Sequence, residues 1–500
     1  MHGRVLLIAR VTKVQQPQPC SVDPPPEAIL EIRADLLGDL PAAQFRDRSD
    51  RRLLYSLRSV AEGGQFAGTA AERRMRLSRA EESYDLIDLE GERDLHPGLL
   101  QIIEPSRRLI SWTGPVAGME WLQTLWRRFS SVPAKLYRFA CGVARPGDEI
   151  EPLLLLKSLG RDDVVAFSCG PAGLWTRLAA AQLGAPVVCG TLEEAAPDGE
   201  PSISRLARDY GLPALSPFDE LYGIVGSNAF RSLSPQLHNA AHRCLRRRAL
   251  FVPFDVESMV DFWHATVTSG KLESIGLRIN GLTITSPFKE TAIPLAGERS
   301  LMVEHAGSTN IVTRVNGQWR ADTTDPEGVL SNLAERRIPV RERPVAVVGC
   351  GGSGRAVARA FKNAGADVTL VNRGLERGRF AVQLLDLPFV PLSRFSVAGF
   401  SVVVNATPVG RDDGELPFRL DDLLQDAVVV DHVYRSGSTP LIAGTRAAGR
   451  VGIEGREVLR QQVLRQYRLM NGVDMPVEPI EALLGRDDRP TVAAAGVPWS

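Results

Sequence analysis

Short apolar runs alternate with helical stretches along roughly the first 190 residues of the chain. Runs of four or five residues rich in Val, Leu and Ile are typical of buried strands, and helical segments between them favour parallel pairing. Eight such strands with intervening helices predict an α/β fold of the (β/α)8 barrel type. The eight runs are VLLI at 5–8, ILEI at 29–32, LLYSL at 53–57, LIDL at 86–89, RLIS at 108–111, KLYRF at 135–139, VVAF at 164–167 and PVVC at 186–189.

The segment between the first two runs breaks this pattern, because QQPQPCSVDPPPEA at 15–28 is too rich in proline to form a helix. The sequence therefore leaves open whether the barrel is complete at this point. Residues 193–219 are polar and rich in Gly and Pro, which favours a linker or a last helix followed by a linker. We expect the barrel to occupy 1–210 and the linker to occupy 211–220.

A second α/β pattern starts at LYGIVGS and extends to about residue 330. The stretch 344-PVAVVGCGGSGRAVARAFKNAGADVTLVNR-373 then contains a strand, a glycine turn, an amphipathic helix and a second strand. This order predicts a Rossmann domain at 331–455. We expect the preceding domain, 221–330, to be completed by a helix at 456–485. The remaining residues, 486–500, are expected to form a loose tail.

The glycine turn has the spacing of a dinucleotide site. Gly349 permits the tight turn, and Gly351 and Gly352 let the backbone approach a pyrophosphate. The helix that opens near Ser353 and Gly354 would point its N–H groups at this negative charge. The alternative is a glycine-rich turn between strand and helix that binds no ligand.

The end of the second strand indicates which dinucleotide fits. An NAD-binding unit carries an acidic residue here, which bonds a ribose hydroxyl. This chain has Asn372 and Arg373 instead, and the planar guanidinium suits the oxygens of a ribose 2′-phosphate. The predicted cofactor is therefore NADP(H).

Composition limits the partners and the location of the protein. The 59 basic residues balance 59 acidic ones, so no net field attracts the chain to nucleic acid or to a membrane surface. The six cysteines lack CxxC spacing, and nowhere do about eighteen apolar residues run together. We expect a cytoplasmic protein without a metal site, disulfides or membrane spans. Only six residues are lysines, so a lysine inside a motif is a strong candidate for chemistry.

Four further segments accompany the glycine turn, and together they are far more specific than any one of them. The segments are 232-SLSPQLHNAA-241, 281-GLTITSPFKE-290, 321-ADTTDPEG-328 and 404-VNATPVG-410. In this order they resemble shikimate dehydrogenase, over roughly residues 221–485. The resemblance implies reversible hydride transfer between NADPH and the ring ketone of 3-dehydroshikimate, a step towards chorismate and the aromatic amino acids.

The resemblance implies that Lys289 and Asp325 form the catalytic pair. A buried ammonium shifts its pKa readily, so Lys289 can exchange a proton with the reacting oxygen, which an always charged arginine could not do. Asp325 would orient Lys289 and bond the ring hydroxyls. Because it precedes Pro326, Asp325 is also a suitable start for a helix, and both roles can hold.

Other positions that match the family would contact the substrate or the cofactor. The implied substrate residues are Ser232, Ser234, Thr285, Asn310, Gln462 and Tyr434. The implied cofactor residues are Asn405 and Thr407, besides those of the glycine turn and the strand end. The two serines could instead form a turn with backbone bonds, as could Asn405, Thr407 and Tyr434. The register leaves Gln461 as an alternative to Gln462.

Three segments of the first half, 31-EIRAD-35, 55-YSLRSVAEGG-64 and 86-LIDLE-90, lie at the C-terminal ends of predicted strands, where barrel active sites are built. They resemble type I 3-dehydroquinate dehydratase. With the second half, the order resembles the fused dehydratase–shikimate dehydrogenase proteins, which catalyse consecutive steps. The matching polar residues are Glu31, Arg33, Arg58, Glu90 and Arg177, although some of them could be ordinary ion pairs at strand ends.

The catalytic centre of the dehydratase family does not carry over. That family uses a strand lysine, which forms a Schiff base with the substrate, and a histidine that moves protons. Thr113 stands at the histidine position and Arg138 at the lysine position. A guanidinium cannot become a free amine, and threonine does not titrate near neutrality. In the lid segment AAPDGE, Ala196 replaces a serine and Glu200 a glutamine, and the added negative charge would repel an anionic substrate. We therefore expect a barrel without dehydratase activity.

Three alternatives stay open at this point. The chain could be fully bifunctional if Lys135 replaced the missing lysine, although an offset of three residues from Arg138 points it to the opposite face of a regular strand. The chain could be a sensor of shikimate-like ligands, given departures from the family at Thr283, Thr323 and Arg411. The dehydrogenase could also prefer quinate. The substrates are small molecules in each case, and the sequence does not indicate an oligomeric state.

Overall fold

The computed structural model describes residues 5–13, 24–46, 50–193, 200–412, 414–435 and 437–485. The chain divides into two compact units, Met1–Ile279 and Asn280–Ser500. This division falls within the predicted domain of 221–330, and the finer domain boundaries stay predictions. Most of the proline-rich segment, Ala196 of the lid and the predicted tail lie outside the described residues. Among the described helices, none combines the length and the apolar character needed to cross a bilayer.

The first unit contains a nearly closed barrel of eight parallel strands, which confirms the predicted barrel. Each apolar run forms one strand. The strands are β1 (Leu6–Val11), β2 (Ile29–Arg33), β3 (Leu53–Ser56), β4 (Leu86–Glu90), β5 (Arg108–Pro115), β6 (Leu136–Gly142), β7 (Val164–Ser168) and β8 (Val187–Thr191). They are hydrogen-bonded in the order β7-β6-β5-β4-β3-β2-β1-β8. Because Ile8 pairs with Ile29 and Val11 with Ile32, the strand order is unbroken beside the proline-rich segment.

In the part of the barrel that the structure describes, eight α-helices accompany the strands. They are α1 (Ala34–Leu37), α2 (Ala43–Arg46), α3 (Ala70–Glu81), α4 (Pro97–Ile102), α5 (Met119–Ser130), α6 (Glu151–Leu159), α7 (Thr176–Gln182) and α8 (Ile203–Tyr210). The side chains of Thr69 and Ser202 accept backbone N–H groups at the starts of α3 and α8, as N-caps do. Gly211, in the left-handed conformation, ends α8. Residues 193–219 therefore include a last helix, one of the two predicted arrangements.

The rest of the first unit is a smaller α/β segment. Strands β9 (Glu220–Gly226) and β10 (Ala249–Asp255) pair in parallel, with α9 (Ser234–Cys244) between them in the chain. Helix α10 (Met259–Phe262), a π-helical turn at Trp263–Val267 and α11 (Lys271–Ser274) follow. The barrel loop after β6 contacts this segment, because Thr266 donates a hydrogen bond of 2.6 Å to Glu149.

The second unit begins with strands of a mixed sheet. Strand β11 (Arg278–Ile284), which starts at the unit boundary, and β14 (Gln318–Asp322) both pair antiparallel with β13 (Ile311–Val315), while β12 (Glu298–Arg299) pairs parallel with β14. Asn316 and Gly317 both have positive φ, as a two-residue hairpin turn requires. Helices α12 (Leu301–Ala306) and α13 (Asp325–Glu335) flank the hairpin in the chain.

A parallel six-stranded sheet follows, as predicted for a Rossmann domain. Its strands are β15 (Pro344–Val348), β16 (Asp367–Asn372), β17 (Phe389–Pro391), β18 (Val402–Asn405), β19 (Val428–Asp431) and β20 (Val451–Ile453). The order is β17-β16-β15-β18-β19-β20. Successive residues of β15 belong to different core clusters, with Val345 in one and Ala346 in the other, so apolar side chains cover both faces. The helices are α14 (Gly352–Asn363), α15 (Leu375–Leu385) and α16 (Pro440–Ala447).

The chain after the Rossmann sheet forms two helices, α17 (Gly455–Asn471) and α18 (Val477–Leu484), where the sequence predicted one helix at 456–485. The prediction of one helix was wrong because Gly472 adopts a left-handed conformation and ends α17. Helix α17 packs closely on α13. A Cβ atom on Gly328 would lie 2.9 Å from side-chain atoms of both Val458 and Gln462, so the absence of a side chain permits this contact.

Candidate active site

Lys289 is the centre of a polar site in the second unit. Its Nζ donates hydrogen bonds of 2.6 Å to Oδ2 of Asp325 and of 2.6 Å to Oγ of Ser353. Lys289 follows β11, Asp325 is the first residue of α13, and Ser353 lies in the first turn of α14. The lysine side chain is 17% exposed and that of Asp325 only 2%. The two implied catalytic residues are therefore in direct contact, and the amine lies beside the start of the nucleotide helix.

The second oxygen of the Asp325 carboxylate is bound from two further elements. Oδ1 accepts hydrogen bonds from Asn310, at 3.1 Å, and from Gln462, at 2.9 Å. Gln461 instead donates to Glu335, so it is Gln462 that reaches the site. Asn310 also accepts the backbone N–H of Thr324 at 2.7 Å, which holds the residue before Asp325. These bonds fix the carboxylate in one orientation.

The surroundings of Asp325 favour its ionised form. Burial alone would raise the pKa of this carboxyl, but the Lys289 ammonium, the nearby His432 ring and the hydrogen bonds from Lys289 and Ser353 together lower it below its ordinary value. Lys289 and Asp325 thus form an ion pair, with the lysine Nζ 2.6 Å from the carboxylate.

His432 belongs to this neighbourhood, although no sequence pattern indicated it. It directly follows β19, and its backbone N–H donates to the carbonyl of Asn405 at 3.0 Å. The Nε2 atom is shielded from solvent and has no hydrogen-bond partner among the described residues. Burial lowers the pKa of His432 to about 4, with Asp325 acting in the opposite sense and Lys289 in the same sense. The ring is therefore neutral near pH 7.

The glycines of the nucleotide turn have different surroundings. Gly349 has φ +108°, and a Cβ there would lie 2.9 Å from the carbonyl oxygen of Ala406. A Cβ on Gly354 would lie 1.7 Å from the Gly349 carbonyl oxygen, so both positions require glycine. Gly351 faces open space, whereas Gly352 packs against Lys289 and Ser308. A ligand can thus approach the backbone at Gly351, while Gly352 permits the contact with the lysine segment.

The end of β16 carries Asn372, which braces the glycine turn, and the exposed Arg373. Asn372 accepts the backbone N–H of Cys350 at 3.0 Å and donates to the carbonyl of Gly374 at 2.8 Å, so it holds the glycine turn in shape. Arg373 is exposed and donates no hydrogen bond within the described part of the chain. Arg377, which no sequence pattern indicated, lies in the first turn of α15 and forms an ion pair with Glu290. An anion at this edge would meet the exposed guanidinium of Arg373.

Several implied contact residues mainly make local bonds. Asn405 accepts hydrogen bonds from both the backbone N–H and the hydroxyl of Thr407, at 3.0 and 2.7 Å. These are the bonds of a turn, which was the alternative to cofactor binding for these two residues. Ser232 accepts the N–H of Ser234 at 3.1 Å at the start of α9, in the first unit. The remaining two residues, Thr285 and Tyr434, are partly buried.

In the barrel, Arg138 lies where the sequence match expects a lysine, and it faces the interior. Its Nη2 lies 2.9 Å from Glu31 on β2 and 2.6 Å from Asp88 on β4, and neither strand neighbours β6. Burial opposes its charge, but these carboxylates raise the pKa of Arg138 well above the ordinary value. Lys135 is exposed and precedes β6, at the end opposite to the strand's C-terminus. The described barrel interior therefore holds a fixed cation where a free amine would be needed.

The other matched barrel residues form a buried charge network. Arg58 lies 3.9 Å from Glu31. Thr113 donates its backbone N–H to Glu62 at 2.8 Å, and burial, with Glu90 and Asp88 nearby, raises the pKa of Glu62 to about 8. The remaining members have separate partners: Arg33 binds Asp35, Glu90 accepts the N–H of Ser59, and Arg177 binds Glu200. Arg10, on β1, joins the network through Glu31 and Glu200, although no sequence pattern indicated it.

Two different protein families match the barrel and the part of the chain that follows it. Residues 27–215 match the family model of type I 3-dehydroquinase, and residues 224–312 match that of the shikimate dehydrogenase substrate binding domain. A protein of Halorubrum lacusprofundi named shikimate dehydrogenase (NADP(+)) is 35% identical over 280 residues, which cover 53% of this chain and 98% of that protein. The chain belongs to the shikimate dehydrogenase family. It carries a type I 3-dehydroquinase domain before the shikimate dehydrogenase domain, which confirms both resemblances.

Other relatives cover the chain to different extents. The chloroplastic bifunctional 3-dehydroquinate dehydratase/shikimate dehydrogenase of Arabidopsis thaliana is 26% identical, over 90% of this chain and 78% of that protein. A crystal structure of shikimate dehydrogenase from Aquifex aeolicus is 30% identical, covers 53% of this chain and 96% of its own, and has a TM-score of 0.48.

Proposed function

We propose that the chain is an NADP-dependent shikimate dehydrogenase, which interconverts 3-dehydroshikimate and shikimate. The observation that supports this most is the contact of Lys289 with both Asp325 and Ser353, because it joins a proton donor to the start of the nucleotide helix. Membership of the shikimate dehydrogenase family supports the choice of substrate. The reaction belongs to the route towards chorismate and the aromatic amino acids.

The residues present fit NADP(H). Gly351 leaves space for the pyrophosphate at the start of α14, where backbone N–H groups have no partner within the helix. Arg373 is free to bind a 2′-phosphate, and Arg377 lies close by in sequence. When bound, the cofactor supplies or accepts the hydride. The relatives named for this activity carry NADP(+) in their names, which agrees with the basic strand end.

Lys289 would manage the proton of the reaction. In the direction of reduction, its Nζ donates a proton to the oxygen of the ketone that becomes a hydroxyl. Asp325 stabilises the ammonium before the transfer, and Asn310 and Gln462 keep the carboxylate oriented. Ser232 and Ser234 are proposed to bind the substrate carboxylate, as the family resemblance implies.

The test of this function is a comparison of substrates and cofactors on the full chain. The rate of NADP(+) reduction with shikimate is measured by absorbance at a fixed substrate concentration. It should exceed the rate of NAD(+) reduction with shikimate and the rate of NADP(+) reduction with quinate. Preference for quinate would support the polyol alternative. Binding of shikimate without turnover under any of these conditions would support the sensor alternative and contradict the proposal.

For the barrel, we propose that it no longer dehydrates 3-dehydroquinate. Arg138 is held between Glu31 and Asp88 and cannot form a Schiff base, and Thr113 supplies no titrating group. Borohydride reduction in the presence of 3-dehydroquinate tests this directly. No adduct should form on the wild-type chain or on a Lys135→Ala variant, whereas an adduct on the wild type that the variant lacks would support the bifunctional alternative.

A further inference from the structure

The turn before Ser232 is held by the barrel. This turn, Ala229–Arg231, lies between β9 and the start of α9, where Ser232 accepts the backbone N–H of Ser234. Arg205, on the last helix of the barrel, α8, donates a hydrogen bond from Nη2 to the carbonyl oxygen of Phe230, in the middle of the turn. The barrel therefore contacts the chain directly beside the two serines, within the first unit.

The Arg205 guanidinium has a fixed direction. Its Nε donates a hydrogen bond of 3.1 Å to Oδ2 of Asp209, one turn further along α8, and the side chain of Asp209 is only 6% exposed. A guanidinium presents its donors in one rigid plane, so the bond to Asp209 also determines where Nη2 points. Arg205 therefore holds the carbonyl of Phe230 at one position relative to α8.

A second contact with the barrel supports the beginning of the same turn. The ring of Trp175, which directly precedes α7, lies edge-on to the ring of Phe254 in β10, with 5.7 Å between the ring centres. The next residue, Asp255, accepts the backbone N–H of Asn228 at 2.8 Å, and Asn228 directly precedes the turn. Two parts of the barrel thus reach the turn, one through Arg205 and one through Trp175.

We propose that Arg205 is a positioning residue of the dehydrogenase, and that the barrel supports the turn that presents its substrate serines. The inference rests on the proposed function, in which Ser232 and Ser234 bind the substrate carboxylate. Hydroxyl donors bind a carboxylate more tightly when they are already in place, because ordering a loop on binding reduces the affinity. Lys289 and Asp325 belong to the second unit, so the loss of Arg205 should weaken shikimate binding and leave the chemical step unchanged.

The experiment compares Arg205→Met with Arg208→Met in steady-state oxidation of shikimate by the full chain. Arg205→Met should raise KM for shikimate roughly 5- to 30-fold, with kcat and the KM for NADP(+) within about twofold of the wild type. Arg208 is the matched control, because it lies on the same helix and also donates to Asp209, at 3.0 Å. Its side chain is 51% exposed and makes no bond to the turn among the described residues, so Arg208→Met should behave as the wild type.

A double-mutant cycle separates positioning from a general loss of structure. Ser232→Ala and Ser234→Ala together remove the hydroxyls that follow the turn, so adding Arg205→Met to them should raise KM by less than about twofold more. A purely structural effect of Arg205 would instead multiply with the effect of the serines. Arg205→Lys, which keeps the positive charge, should show the same selective rise in KM at a smaller size, and it replaces Arg205→Met in the cycle if that variant folds poorly.

Three results would overturn the inference. They are the same KM in Arg205→Met and Arg208→Met, a loss of kcat in Arg205→Met as large as the rise in KM, and multiplied effects of Arg205 and the serines in the cycle. Each of them requires turnover of shikimate by the wild type, so each leaves the proposed function in place. A wild type without this turnover would contradict the proposed function and, with it, the inference.

Discussion

Gln462 donates a hydrogen bond of 2.9 Å to Asp325, although 137 residues separate them in the chain. The bond exists because α17 packs against the first turns of α13. Replacement by leucine would leave Oδ1 of Asp325 with Asn310 as its only partner among those described. A hydrogen bond to a charged group contributes about 1.5–3 kcal/mol, so Gln462→Leu should reduce kcat/KM for shikimate by about 10- to 100-fold.

The neighbouring glutamine provides the control for this variant. Gln461→Leu removes a bond to Glu335 and none to Asp325, so its effect on kcat/KM should be less than threefold, or about 0.6 kcal/mol. Equal losses in the two variants would show that the helix as a whole, and not the bond to Asp325, determines activity.

Gly328 should be intolerant of a side chain. A Cβ at this position would lie 2.9 Å from side-chain atoms of Val458 and Gln462 and 3.2 Å from the Val458 carbonyl oxygen, and the backbone atom cannot rotate away. Gly328→Ala should therefore lower the free energy of unfolding by about 1–3 kcal/mol. Gly374→Ala, where the nearest atom would lie 3.6 Å away, should change it by less than about 0.5 kcal/mol. Urea unfolding of the two variants measures the difference, and equal stabilities would contradict the packing argument.

His432 should make stability depend on pH. In the folded chain its pKa is lowered to about 4, whereas in the unfolded chain it is near the ordinary 6.5. Between these values the unfolded state binds more protons, so the free energy of unfolding should fall as the pH decreases from 6.5 to 4, by at most about 3 kcal/mol from this group. His432→Met should reduce the loss of unfolding free energy between pH 7 and pH 5, measured by urea unfolding.

The control for His432 is a histidine in solvent. His305 is exposed, so His305→Met should leave the pH dependence of stability as it is in the wild type. The free energy of unfolding could instead depend on pH in the same way in the His432 variant and in the wild type. The His432 ring would then titrate alike in the folded and the unfolded chain, which would contradict its burial as a neutral group.

Arg138 should be essential for the stability of the barrel. Its replacement by methionine would leave Glu31 and Asp88 with less compensation in an interior closed to water. Breaking a buried ion pair by removing one partner typically destabilises by about 3–5 kcal/mol. Arg161→Met, which removes a largely exposed pair with Asp163, should cost less than about 1 kcal/mol. Equal effects on urea unfolding would show that Arg138 is not part of a closed network.

The elements of the fold that sequence patterns predicted are those with local causes. The eight barrel strands are short runs of Val, Leu and Ile, and the Rossmann unit has its own turn chemistry at Gly349. The antiparallel hairpin of β13 and β14 was not anticipated within the second α/β pattern, because its direction depends on the positive φ angles at Asn316 and Gly317. The end of α17 at Gly472 is another such case, since a single glycine can lie inside a helix or end it.

Only those residues of the candidate site that lie within a sequence motif were predictable. Lys289 and Asp325 lie in segments that resemble a family, so the sequence indicated them, although their contact depends on the tertiary fold. His432 and Arg10 are single residues without a pattern, and they acquire their surroundings from strands distant in the chain. Glu200 was recognised as an added charge, but its binding by Arg177 could not be read from the sequence.

Lys289 is proposed to supply the proton that accompanies hydride transfer. The most direct measurement is kcat for NADPH oxidation with 3-dehydroshikimate in Lys289→Met, beside the exposed Lys157→Met as control, with substrate binding measured separately by calorimetry. We predict that Lys289→Met still binds the substrate and loses at least about 100-fold in kcat, because a general acid is removed, while Lys157→Met is unchanged. A Lys289→Met enzyme that turns over within threefold of the wild type would show that Lys289 is not the proton donor.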